Sequence, residues 1–294
     1  MNTQAIRRVL VTGANGNLGA KLVRALLAAG GLDAVLAVDL SPPLPEEAHP
    51  ALVRIVADLA KRHDEHWIGA VRSADAVVHF AAQNPHVVAS WQDAAVSFDM
   101  TANLIACSGH LRRFVLASSN HVMGGYKETE IAVSDGGLTT DLPPLVGTRF
   151  MLNGVAMAST AYATAKLMGE RLLAANASRS GFSSVALRIG WCQPGENRPQ
   201  TISASGTTAG GSGTQDAAAL ADLRWFRNMW LSNRDLCGYF RAAVMADAST
   251  WPSPAIVLNA VSANRGSPWE VASARGLIGF APSDDIWAVL PRAG

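Results

Sequence analysis

Cysteine is scarce in this chain. Three thiols, Cys107, Cys192 and Cys237, are spread over 294 residues. An odd, widely spaced set gives no disulfide framework, and without CxxC or Cys/His spacing it gives no zinc site. Reduced thiols and a cytoplasmic location are therefore expected. Charge is thin as well: 16% of residues are charged, the formal net charge is +1, and there is no basic run. That weighs against a nucleic-acid or membrane-surface partner, whose phosphates demand a clustered positive field. No apolar run is long enough to span a bilayer, and residues 1–13 lead into a strand pattern without a leader signature. Hydrophobic residues make up 49% of the chain, so a large core is within reach and global disorder is not expected.

What is present is an alternation. Apolar runs at 8–13, 34–39, 52–58, 75–82 and 112–119 read as strands, and 17–29, 61–72 and 91–108 carry helical spacing. "AYATAKLMGERLLAANA" (161–177) adds a helix and "SSVALRIG" (183–190) a sixth strand. Runs that are apolar throughout suit strands covered on both faces. The pattern predicts an α/β fold, a Rossmann-type doubly wound parallel sheet. Residues 124–160 are rich in Gly and Pro and read as mostly loop. Residues 195–216 are low-complexity Gly/Ser/Thr and read as mobile. Residues 219–236 read as one helix and 255–261 as a last strand. The expected organisation is a single domain over 1–294. Its core, 1–190, binds a dinucleotide, and a small irregular C-terminal lobe, 191–294, binds substrate, with insertions at 126–160 and 195–216.

Three motifs carry chemistry. In "TGANGNLG" (12–19), Gly13, Gly16 and Gly19 sit between the first strand and its helix. Glycines there let the backbone turn tightly and approach a pyrophosphate, which rests on the free N–H groups of the helix N-terminus. Asn15, Asn17 and Leu18 belong to the same turn. Asp39 ends the second strand, twenty residues on, where a carboxylate accepts from ribose hydroxyls and repels a 2′-phosphate. No Arg or Lys follows it in "LSPPLPEE", so NAD is expected over NADP. Asp58, with Leu59, is placed to reach the adenine or to cap a helix, and Ala81 follows the fourth strand.

The third motif is "YATAK". Tyr162 and Lys166, four apart on a helix, share one face. A phenol ionises near pH 10, and an ammonium one turn away favours the phenolate a base needs. "FVLASSNHVMGG" (114–125) starts as a buried strand and ends in polar residues, where ligands bind in open α/β sheets. Ser119 there completes a triad with Tyr162 and Lys166.

Together these motifs resemble an extended short-chain dehydrogenase/reductase, over residues 7 to about 190. "SSNHVMG", "RIG-x-C-x-P" (188–194) and "WLSNRDL" (230–236) are similar to segments of NAD-dependent uronate dehydrogenases. Those enzymes oxidise the anomeric hydroxyl of a hexuronic acid. The resemblance implies that Asn120 and His121 contact a sugar, Ser119 and Tyr162 hold the reacting oxygen, and Lys166 binds the nicotinamide ribose. It also implies pairing of two copies through the helices at 91–108 and 161–178. This chain departs from the family at the substrate end. Asn84 stands near a family serine, Trp191 replaces another, and Trp225 falls on the carboxylate-binding arginine, flanked by Arg224 and Arg227.

Ser119 and Tyr162 lie 43 positions apart, so the 126–160 insertion is expected beside the site as wall or lid. Phe150, Met151 and the tryptophans of "RWFRNMW" are candidates to enclose a less polar substrate. The expected function is NAD-dependent oxidation of a sugar or sugar-acid hydroxyl. The alternatives are a sugar-nucleotide epimerase or dehydratase, a dehydrogenase of a less polar secondary alcohol, and a binding protein without turnover. His79 reads as a satisfied core histidine; His49, His63 and His66 show no ligand spacing. Asn176 opens a glycosylation sequon that a cytoplasmic chain would not use.

Overall fold

A computed structural model describes residues 5–42, 48–203 and 217–290. Most of the low-complexity stretch expected to be mobile lies outside them. Seven parallel strands form one sheet: β1 (Arg8–Thr12), β2 (Ala34–Asp39), β3 (Leu52–Val56), β4 (Ala76–His79), β5 (Arg113–Ser119), β8 (Ser183–Ile189) and β9 (Ala255–Ala260). A separate antiparallel hairpin comprises β6 (Arg149–Leu152) and β7 (Val155–Ala158). The sheet order is β3-β2-β1-β4-β5-β8-β9. The chain winds outward from β1 one way and from β4 the other, which opens a crevice at their carboxyl ends. β1, β4 and β5 are buried almost throughout, as strands covered on both faces must be.

One face is covered by α1 (Asn17–Ala29) and α6 (Asn233–Met245), the other by α2 (Glu65–Arg72), α3 (Trp91–Ala106) and α4 (Thr160–Ser180). The apolar stripe Leu22, Val23 and Leu26 of α1 is buried against the sheet, each residue contributing about 1.5–3 kcal/mol on burial. A third apolar cluster gathers Val122, Met123, Leu138, Phe150, Trp225, Phe226 and Trp269.

Two sequence expectations change. The 219–236 helix is two helices, α5 (Ala217–Asn228) and α6. Between them Met229–Leu231 runs beside Trp191: Trp191 N–H donates to the Met229 carbonyl and Leu231 N–H to the Trp191 carbonyl. Gly190 permits this, since a Cβ there would stand 1.9 Å from the Met229 oxygen. Ser232 then restarts the helix by accepting from the Asp235 N–H. The second change is in 124–160, which is not simply loop. β6 and β7 turn through Asn153 and Gly154, both at positive φ, the geometry of a type I′ hairpin.

His79 is a satisfied core histidine. The Thr101 hydroxyl donates to the Ser97 carbonyl, so it accepts from His79 Nε2–H at 3.1 Å, and Nδ1 accepts from Thr12 Oγ1 at 2.7 Å. Burial holds its pKa down at about 3, with the Lys166 charge adding to the shift. The unfolded chain, near 6.5, therefore binds that proton more tightly. The contribution of His79 to stability is complete above about pH 6.5 and is lost as pH falls toward 3. Melting temperature is expected to fall more steeply between pH 7 and 4.5 in the parent chain than in His79→Gln. Parallel profiles would remove His79 as a cause.

Candidate active site

The crevice at the carboxyl ends of β1 and β4 is a cleft of about 630 Å³. At one part of its lining, Gly13 takes φ +66°, and a Cβ there would meet the Ala81 nitrogen at 2.8 Å. A Cβ on Gly19 would stand 2.1 Å from the Gly13 oxygen. The α1 N-terminus begins at Gly16 with no side-chain cap and no acid in its first turn, so its N–H groups remain available to an anion. Asn17, Leu18, Asp58, Leu59 and Ala81 line the same cleft.

Asp39 lies at its rim, held by its own neighbours. Oδ2 accepts from the Asn15 N–H at 2.9 Å, and Oδ1 from the Ser41 N–H and hydroxyl at 3.0 and 2.8 Å. Asn15 itself is not among the lining residues; its amide donates to the Ser41 and Pro42 carbonyls and shapes the turn. Asp58 does not cap α2. Asp64 does, accepting from the His66 N–H, which leaves Asp58 on the cleft wall.

Ser119, Tyr162 and Lys166 line this cleft together. Ser119 ends β5, and α4 presents Tyr162 and Lys166 on one face, with the Lys166 Nζ 5.8 Å from the Tyr162 ring centroid. Burial lowers the Lys166 pKa to about 8. Burial also raises the Tyr162 pKa, opposed by a hydrogen bond with Ser119. The phenol therefore lies above its ordinary value, opposite to the direction an ammonium neighbour alone would impose.

Residues 9–192 match the sequence profile of the NAD dependent epimerase/dehydratase family. The chain belongs to this family. As an NAD dependent epimerase/dehydratase family member its cofactor is NAD, and the glycine turn fits one: side chains at Gly13 and Gly19 would fill the space where the backbone must close. The chain is 28% identical over 286 residues to an L-arabinose 1-dehydrogenase (NAD(P)(+)) of Haloferax volcanii, covering 96% of this chain and 99% of that one. It is 27% identical over 203 residues to a uronate dehydrogenase of Pseudomonas putida, covering 69% and 66%. Its fold matches a glucuronic acid dehydrogenase structure from Chromohalobacter salexigens with a TM-score of 0.68, at 22% identity, covering 98% of this chain and 90% of that one.

The expected substrate residues divide. His121 and Trp191 line the cleft of this family member; Asn84, Asn120, Arg224 and Arg227 do not. Asn84 is exposed at φ +43° and donates to Asp93. Asn120 is fully buried, its amide without a hydrogen-bond partner among the described residues. Arg224 is exposed, and Arg227 is half-buried with its pKa lowered by burial. Nor do residues 126–160 line the cleft: Phe150 is buried in the third cluster and Met151 is exposed. Of "RWFRNMW", Phe226 and Met229 reach the lining rather than the tryptophans. Gln83, Pro85, His86 and Val87 also line it. No motif marks these residues; only their adjacency to Ala81 signals them.

Proposed function

We propose that this family member is an NAD-dependent dehydrogenase that oxidises a hydroxyl of a sugar, with Ser119, Tyr162 and Lys166 carrying the reaction. The observation that carries this reading is that the triad shares one cleft with the glycine turn and Asp39. Tyr162, as phenolate, takes the proton of the substrate hydroxyl while the Ser119 hydroxyl holds that oxygen. Lys166 places a positive charge behind the phenol and within reach of a ribose. Bound NAD supplies the acceptor for the hydride that leaves the carbon. Asp39, with both oxygens anchored, accepts from ribose hydroxyls and disfavours a 2′-phosphate, which supports NAD over NADP. Pairing of two copies across α3 and α4 belongs to the same reading and is supported by exposed Trp91 and Met168 on those helices. So does a cytoplasmic location, supported by three free thiols.

The substrate this reading favours is uncharged. Among the described residues lining the cleft, Lys166 is the one ammonium or guanidinium, and Trp191, Phe226, Met229 and Val87 supply apolar surface. Residues 204–216 contain no Lys, Arg or His in their sequence. A carboxylate entering beside these apolar side chains loses its water and meets no guanidinium among the described lining residues. The arabinose dehydrogenase matched over nearly the whole chain supports this choice. Galactose and galacturonate differ only at C6, so NADH formation from that pair, with arabinose beside them, tests it. A neutral aldose is expected to exceed galacturonate in kcat/KM by about tenfold or more. Preference for galacturonate would bring Arg224 or Arg227 back into the site.

A further inference from the structure

His121 stands beside Tyr162 in the cleft, ring centroids 6.1 Å apart and planes at 75°. Its Nδ1 meets two hydroxyls, Thr148 Oγ1 at 2.7 Å and Ser159 Oγ at 3.0 Å. All three side chains are buried. With both hydrogen bonds on Nδ1, Nε2 is the ring nitrogen left for the cleft. Thr148 and Ser159 come from the inserted segment, one residue before β6 and one after β7, at the root of the hairpin.

That root is tied together. The Thr148 N–H donates to Ser159 Oγ at 2.9 Å, and the Ser159 N–H to the Thr148 carbonyl at 3.1 Å. The Gly147 N–H donates to the His121 carbonyl at 2.9 Å, so the root grips both backbone and ring of that histidine. There is no slack in the fit. A Cβ on Gly124 would stand 2.1 Å from Thr148 Oγ1, and one on Gly147 2.6 Å from Thr160 Oγ1. Which nitrogen an imidazole presents is set by the hydrogen bond its other nitrogen makes.

We infer that Thr148 and Ser159 are positioning residues for the substrate: by holding Nδ1 they aim His121 Nε2 into the cleft, and the 149–158 hairpin braces the site rather than covering it. The inference rests on the proposed dehydrogenase function and on the expectation from the sequence that His121 contacts the sugar. No bond is made or broken by this group; it exchanges a hydrogen bond with a substrate hydroxyl. Burial, assisted by nearby His86, brings the His121 pKa to about 4, so the ring is neutral at pH 7. A neutral ring suits an uncharged sugar, and such a contact acts only while its geometry is kept.

A kinetic cycle on the full-length protein tests this, with NAD and whichever of arabinose or galactose turns over faster. The variants are His121→Ala, the pair Thr148→Val/Ser159→Ala, and all three together, each checked for melting temperature and NAD affinity. The pair is expected to raise the sugar KM about tenfold, the worth of one well-placed hydrogen bond. NAD affinity should stay within about twofold, and the pair should add nothing once residue 121 is alanine. Thr148→Ser alone, which keeps both hydroxyls, should leave the KM close to the parent value. An equal and independent loss in the His121→Ala background, or an unchanged KM, would overturn the positioning role. Unchanged kinetics in His121→Ala itself would instead remove the substrate contact, and the inference with it.

Discussion

Replacing Tyr162 with phenylalanine is expected to lower turnover by about 10³-fold while NAD affinity changes little. The ring keeps its edge contact with His121 and its place on α4; only the hydroxyl that handles the proton is lost. General acid–base groups contribute roughly 10²–10⁴-fold, and the substituted chain has no other hydroxyl at that position on the helix. The parent should also quicken as pH rises above 7, because the active form is the phenolate and burial keeps the free chain's phenol above its ordinary value. The residual rate of Tyr162→Phe should lack that rise. Steady-state NADH formation between pH 6 and 10, with NAD affinity measured by fluorescence titration, checks both points. A variant that keeps a tenth of the parent rate would show that Tyr162 is not the base.

Glu170→Ala is expected to cost about 3–5 kcal/mol of stability. Glu170 lies one turn beyond Lys166 on α4, and its carboxylate accepts from Arg188 Nε at 3.0 Å and Nη2 at 2.8 Å, on β8. The Ser118 hydroxyl on β5, next to Ser119, donates to the same carboxylate. Both charged side chains are 3% exposed. Truncating Glu170 leaves a guanidinium in the interior with nothing to offset its lost hydration, and Arg188 Nη1 already lacks a partner among the described residues. Denaturant unfolding should show the loss, with a fall in melting temperature of roughly 10 °C. Glu170→Gln should cost less, because it can keep part of the hydrogen bonding. The pair Glu170→Leu/Arg188→Met should also cost less than Glu170→Ala, because no unpaired charge remains. A cost below about 1 kcal/mol for Glu170→Ala would mean that water or a shifted side chain replaces the pair.

Much of the scaffold was legible because the relevant signals are local. β1, β2, β4, β5 and β8 are covered on both faces, and that burial writes itself as unbroken apolar runs. The glycine turn is legible for a similar reason: Gly13 and Gly19 face each other across a few residues, and a side chain at either would collide. The hairpin was legible too, in Asn153-Gly154 between apolar residues, but the Gly and Pro around it made the segment read as loop. The break at 229–232 was harder. Ser232 is a cap signal, yet the backbone partner that draws Met229–Leu231 out of the helix is Trp191, far away in sequence.

The substrate end divides along the same line. By itself the sequence determined the parallel sheet, the NAD turn and the three residues proposed for the chemistry, since each depends on spacing within one strand, turn or helix. Only the tertiary structure decided which side chains wall the cleft. It turned Asn84 outward, buried Asn120, kept Asn120, Arg224 and Arg227 off the lining, and brought Phe226 and Met229 onto it. It also set Thr148 and Ser159 against His121 from 27 and 38 positions away. Periodicity records which face of an element is buried; it carries no record of which distant element does the burying, and a cleft is made where several of them meet.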